Sequence, residues 1–290
     1  MKTISTSDLT VKVSSHGAEL CSICCNGKEY LWQADPAYWK RHAPVLFPIV
    51  GSVWENTYRQ DGETYSMSQH GFARDMDFEL VAESDHDLLY RLTDNEETRK
   101  KYPFPFCLEI GYRIRGKKIE VLWEVRNTGN REMHFQIGAH PAFYYPGYDA
   151  ATAGRGYFGF DKTDGLRHIL ISEKGCAAPD KEYPLVLTDG LLPLDVHTFD
   201  KDALILEGSQ VREVTLYDKE KKPYLTLYSD APVMGLWSPP AKNAPFVCIE
   251  PWYGRCDRAH YMGEYKDKDW MQHLAPGEVF RRGYVIEVRE

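Results

Sequence analysis

The chain has 290 residues and a formal charge of −8, from 35 Lys and Arg against 43 Asp and Glu. No block of basic residues is present to track a phosphate backbone, which argues against nucleic acid and anionic membrane as partners. The start, MKTISTSDLT, lacks a signal-peptide core, Ala43 to Gly51 is broken by two prolines, and the seven cysteines are an odd number, so a cytoplasmic chain with reduced thiols is expected.

Taken in order, the first hairpin signal is ELCSICC, Asn26-Gly27, KEYLW, whose turn residues tolerate positive φ. Within it Cys21 and Cys24 have the spacing of a zinc-ligand pair. No second C-x-x-C follows and the run is apolar, so they read as buried strand thiols, with no metal expected. A helical turn or two is expected from Asp35 to Lys40, and TYRQDGETYSM turns at Asp61-Gly62. A second short helix is expected from Asn95 to Tyr102, ended by Pro103. EIGYRIRGKKIEVLWEVRN folds back near Gly116, with Ile119, Val121, Trp123 and Val125 on one face. VTLYDKEKKPYLTLY and FRRGYVIEV repeat the strand pattern. Many closely spaced strands with few helices predict an all-β sandwich or barrel, and without a linker or repeat residues 1–290 read as one domain.

Three segments carry polar groups in apolar surroundings: SQHGFARD (Ser68 to Asp75), QIGAHPAF (Gln136 to Phe143) and VCIEPWYGR (Val247 to Arg255). The run from Phe246 to Ile249 delivers Glu250 just before Pro251 and Trp252. Desolvation there raises a carboxyl pKa toward the range useful for proton transfer, unless Glu250 is an edge residue facing solvent. His140 is delivered in the same way and followed by Pro141; it reads either as a general acid or as a core histidine held by a carbonyl. His70 precedes a glycine that permits close backbone approach to a ligand. Arg74 offers a guanidinium fork, or a structural pair with Asp75 or Asp77. Of the tryptophans, Trp252 is placed at a site, where a flat ring packs on a sugar face, and Trp123 in the core.

Together with HGAEL (His16 to Leu20), APVLFPIVG (Ala43 to Gly51) and YPFPFCLEIGYRI (Tyr102 to Ile114), these segments resemble the aldose 1-epimerase, or galactose mutarotase-like, superfamily. The nearest likeness is to its bacterial branch associated with sugar-utilisation operons. The resemblance implies a large antiparallel β-sandwich with few short helices, and interconversion of α and β anomers of an aldose without a cofactor. By that likeness Glu250 is the general base on the anomeric hydroxyl and His140 the general acid on the ring oxygen. His70 matches a hydroxyl-binding histidine, and Gln69 and Arg74 match polar positions of the hexose-phosphate branch. Asp202 resembles a substrate-binding aspartate, with Asp200 in the alternative register. Lys40 or Arg41 stands near a family arginine, and Arg41 is taken as substrate-binding. Phe143, Tyr144 and Tyr145 are expected to wall or support the cleft. Galactose mutarotases carry asparagine directly before the acid histidine, where this chain has Ala139.

The expected partner is a small-molecule aldose, free or phosphorylated, and the expected assembly a monomer or homodimer. Alternatives are a hexose-6-phosphate 1-epimerase and a non-catalytic carbohydrate-binding protein on the same fold. A glycoside hydrolase would need a second placed carboxylate, and a metal hydrolase built on His70, His140 and Glu250 would lack H-E-x-x-H spacing.

Overall fold

The computed structural model describes residues 1–289 and stacks a nine-stranded sheet on an eight-stranded sheet, both antiparallel. The larger sheet runs in the order Leu191–Asp195, Gly154–Phe160, Glu213–Tyr217, Pro223–Tyr228, Val279–Val288, Lys118–Asn127, Phe106–Arg115, Asp87–Thr93, Glu79–Glu83. The smaller runs Tyr183–Pro184, Arg167–Leu170, Leu204–Glu207, Val233–Trp237, Phe246–Tyr253, Ile137–Ala139, Val45–Leu46, with Ala142–Tyr144 also paired to Phe246–Tyr253. A four-stranded sheet, Lys2–Ser5 to Lys28–Glu29, packs beside them. This is the large antiparallel β-sandwich with few short helices that the sequence led us to expect.

Alternation explains the stacking. In Lys118–Asn127 the side chains of Ile119, Val121, Trp123 and Val125 are buried, while Leu122 on the other face is 41% exposed. Trp123 meets Tyr253 of the facing sheet edge to face, at 6.3 Å between ring centroids. The core cluster runs through both sheets and into the four-stranded one, from Ile4 to Val288.

The hairpins turn where expected, with Asn26, Gly27, Asp61, Gly62 and Gly116 all at positive φ. Helix Glu96–Lys101 is capped by Asn95, which accepts the N–H groups of Glu97 and Thr98, and it stops before Pro103. The stretch from Asp35 to Lys40 is not a helix. Ala37 N–H bonds the Asp35 carboxylate, Tyr38 and Trp39 N–H both reach the Asp35 carbonyl, and the chain then leaves this single turn with Trp39 stacked on His140. No helix among the described residues is long and apolar enough to cross a membrane.

Candidate active site

The strand Phe246–Tyr253 is buried on both faces. Its odd positions Val247, Ile249 and Tyr253 enter the sandwich core, so Phe246, Cys248, Glu250 and Trp252 point to the opposite side of the sheet. Two short strands pair with it in one register: Gly138 lies opposite Trp252, and Ala142 opposite Cys248. That register sets His140 opposite Glu250, at the break where Pro141 supplies no N–H and its carbonyl accepts from Ile249 N–H. The cross-strand pair places His140 Nε2 3.2 Å from Glu250 Oε2.

The HGF turn brings the next residues. His70 sits at φ 65°, donates its backbone N–H to Gly51 O at 2.8 Å, and accepts the Gly51 N–H on ring Nδ1 at 3.0 Å. Accepting on Nδ1 puts the proton of the neutral ring on Nε2, so His70 offers the cleft a donor. Gly71 is required here, because a Cβ would lie 2.2 Å from Phe47 O. Arg74 follows on the short turn Ala73–Asp75 and donates to Gln69 O at 2.7 Å.

These groups meet in a cavity of about 320 Å³, at the small end of small-molecule clefts. Gln69, His70, Arg74, His140, Asp202, Glu250 and Trp252 all line it. Asp202 faces the cavity at φ 68°, whereas Asp200 is exposed and bound to His197. Arg41 does not line the cavity: it is bound to Asp75 at 2.8 Å, and Lys40 is exposed. Phe143 and Tyr145 are in the sandwich core, and Tyr144 packs on the same Trp32 and Phe246 cluster as Trp39 and Trp237, so none of the three lines the cleft, Tyr144 backs its wall, and the lining aromatic wall is elsewhere. It consists of Trp252 and two residues that the sequence reading did not single out, Trp39 and Trp237. Trp39 stacks on the His140 ring at 4.7 Å, and Trp237 meets it edge-on at 5.3 Å. Trp237 ends its strand just before Ser238-Pro239-Pro240, the same apolar strand, functional residue, proline arrangement that drew attention to Glu250.

Burial sets the protonation of the pair. Desolvation pushes the Glu250 carboxyl well above the usual carboxylate range and nearby Asp202 adds to this, against the Trp252 indole. Desolvation also brings His140 down to about 3; the close polar approach of its own backbone, short of hydrogen-bond geometry, opposes this, and Arg74 and Arg41 reinforce it. His70 lies well below its ordinary value, through burial and then the neighbouring His140, Arg74 and Arg41. Arg74 falls to about 10 by burial beside Arg41. Burial thus disfavours the charged form of both members of the dyad. Four buried polar atoms around the cavity, Arg74 Nε, His140 Nδ1, Glu250 Oε2 and Trp252 Nε1, make no hydrogen bond among the described residues. A hydroxyl-rich ligand would satisfy them.

The surroundings hold this geometry rigidly. The Trp252 ring lies between two glycines: a Cβ on Gly235 would be 2.6 Å from its far edge, and one on Gly138 would be 2.7 Å from Cδ1. Beyond the strand, buried Arg255 binds Glu207 at 2.6 Å and also Asp269, a structural network and not a cleft contact. Lys268 and Asp257 form a second buried pair, and Asp257 accepts the Trp54 N–H at 2.8 Å. The Cys248 thiol lies within 4.8 Å of the dyad, making a cluster with metal-ligand chemistry, though burial and Glu250 raise its pKa well above the usual thiol value.

Comparison with known proteins agrees with this fold. A family model described as aldose 1-epimerase matches residues 2–287. The chromosomal protein LacX of Lactococcus lactis is 30% identical over 97% of this chain and 96% of its own. The crystal structure of a galactose mutarotase related enzyme from Lactobacillus acidophilus superposes with a TM-score of 0.93 at 36% identity, covering 100% of this chain and 97% of that one. A galactose mutarotase-like protein from Lactobacillus casei gives 0.94 at 31% identity, covering 100% of both. The chain belongs to the aldose 1-epimerase family.

Proposed function

We propose that the cleft interconverts the α and β anomers of a free aldose by acid-base ring opening and reclosure. The observation that carries this reading is the 3.2 Å contact between His140 Nε2 and Glu250 Oε2 at the floor of a tryptophan-walled cavity. The hydroxyl oxygen on C1 and the ring oxygen are bonded to one carbon, so a base for one and an acid for the other have to be adjacent. Glu250 takes the hydroxyl proton while His140 protonates the ring oxygen, the C1–O bond breaks, and the open aldehyde rotates about C1–C2. Reclosure on the other face runs the transfers backwards.

The cycle needs one proton on the dyad and returns it. In the free protein burial favours that proton on Glu250, so His140 takes it up in the productive complex. His70, as a fixed donor, together with Gln69, Arg74 and Asp202, is suited to position hydroxyls, and Trp252 to face the C–H side of the sugar. We take the whole chain as one domain acting in the cytoplasm on a small sugar, a unit supported by the continuous core.

A phosphorylated hexose is the second reading, favoured by Arg74 in the cavity lining, whose Nε makes no hydrogen bond and has Asp75 only at ion-pair distance, 3.8 Å. Against it, Arg74 is the one cationic side chain among the described residues that lines the cavity, and a dianion is usually held by more than one. Anomer exchange measured by NMR over free and 6-phosphorylated aldoses tests both readings. Free aldoses should equilibrate faster than in buffer, and Glu250→Gln or His140→Asn should each slow exchange by about 10²- to 10⁴-fold. Exchange confined to the phosphates would replace the first reading with the second. Sugar binding without exchange in either set would leave a carbohydrate-binding protein.

A further inference from the structure

Away from the dyad, Glu19, Cys21 and His42 bring a carboxylate oxygen, a thiol and an imidazole nitrogen within 4.8 Å of one another. We propose that these three side chains bind one divalent cation of the zinc class, with solvent completing the coordination. Cys24, the other half of the C-x-x-C spacing, is not part of the cluster.

The backbone explains how the three converge. Val13 pairs with Leu20 and Lys12 with Ser22, which leaves Cys21 as the extra residue of a β-bulge. A bulge re-aims a side chain out of strand alternation, and Cys21 Sγ lies 3.2 Å from the Glu19 carbonyl. Glu19 Oε1 accepts the backbone N–H groups of His42 and Ala43 at 2.9 and 3.0 Å, so the carboxylate and the imidazole are fixed to the same piece of chain. Oε2 is left 3.8 Å from His42 Nδ1, a nitrogen that is buried and makes no hydrogen bond among the described residues. Zinc bonds of about 2.0–2.2 Å to nitrogen and oxygen bridge such a gap at an opened tetrahedral angle. Mixed sulfur, nitrogen and oxygen donors select a borderline-soft ion over magnesium or calcium, which prefer oxygen alone. His42 and Glu19 side chains keep 24% and 15% exposure, which gives an ion a way in. Binding displaces the protons on the thiol and ring.

The position gives the site a structural role. Trp39, three residues before His42, stacks on His140; Arg41 binds Asp75; and His42 O accepts the Ala142 N–H at 3.0 Å. An ion at Glu19, Cys21 and His42 would clamp this arm to the four-stranded sheet.

Titration of the chelator-treated full chain with Co²⁺ tests the proposal. The expected result is a one-equivalent thiolate-to-cobalt charge-transfer absorption that Cys21→Ser abolishes. Zn²⁺ competition should show His42→Gln weakening binding by more than about a hundredfold, beyond the cost of losing an outer-shell partner. In the unmodified chain Zn²⁺ should also slow alkylation of Cys21, a readout that needs no variant. No absorption, or no protection of Cys21, overturns the proposal. So does absorption that survives Cys21→Ser and is lost in Cys248→Ser, which moves the ion to His140, Cys248 and Glu250. Binding without charge transfer also overturns it, placing the ion at the thiol-free cluster of Glu132, His134 and His273.

Discussion

Replacing Gly235 by alanine adds one methyl group where the indole of Trp252 already stands. The new Cβ would lie 2.6 Å from Cη2 and Cζ2, roughly 0.8 Å inside the 3.4 Å at which ordinary van der Waals contact begins. The ring cannot slide away, because its other side meets Gly138, where the corresponding distance is 2.7 Å. Overpacking of this kind costs about 1–3 kcal/mol in stability, read by urea denaturation. The functional cost should be larger. Gly235 pairs directly with Glu250, so a shift of about 1 Å in the ring beside the carboxyl should slow anomer exchange by about 10²-fold. Phenylalanine lacks the two clashing atoms, so in a Trp252→Phe background the same Gly235→Ala change should cost under about 0.5 kcal/mol. An equal cost in both backgrounds would refute the clash as the cause.

Exchange should stay level through neutral pH and decline on the acid side only toward about pH 3, where His140 gains a second proton on the dyad; an inflection near 6.5 would contradict the burial assigned to that ring. Between the ordinary carboxylate value of 4.5 and its raised value, the folded chain holds a proton on Glu250 that the unfolded chain releases, so wild-type stability falls there as pH rises. Glu250→Gln does not titrate, and its advantage in denaturation midpoints should grow with pH across that window by about 1.4 kcal/mol per unit at most. Lys268→Met strands the buried Asp257 carboxylate and should cost about 3–5 kcal/mol in urea unfolding, most of it recovered by adding Asp257→Asn.

What could be read in advance follows from the range of the interactions involved. Hairpins were legible because Asn26-Gly27 and Asp61-Gly62 encode their turns locally, and the Glu96–Lys101 helix because its cap and its stop are adjacent. Asp35 to Lys40 misled because a capped single turn looks like a helix start, and only the His140 ring, a hundred residues on, shows why the chain leaves it. His140 and Glu250 were visible as polar residues ending apolar runs, but their pairing is a matter of register between strands far apart in sequence. Trp39 was hidden for the same reason: a tryptophan in a loop gives no local sign of the ring it covers. Phe143 to Tyr145 do not line the cleft, because the strand they pair with is buried on both faces and adjacency to His140 does not mean adjacency to the cleft; Tyr144 only backs the tryptophan wall.

The exchange of hydrogen bonds between Gly51 and His70 gives the cleft a fixed polarity at one point. With Nδ1 occupied, the ring can only give a hydrogen bond, and burial keeps it from becoming a cation. Whichever sugar carbon faces His70 must therefore carry an acceptor. An ammonium group at that carbon would set donor against donor, while loss of the hydroxyl would leave a buried N–H without a partner. Amino and deoxy sugars substituted at successive carbons would thus map the orientation of the bound ring by which single position is refused.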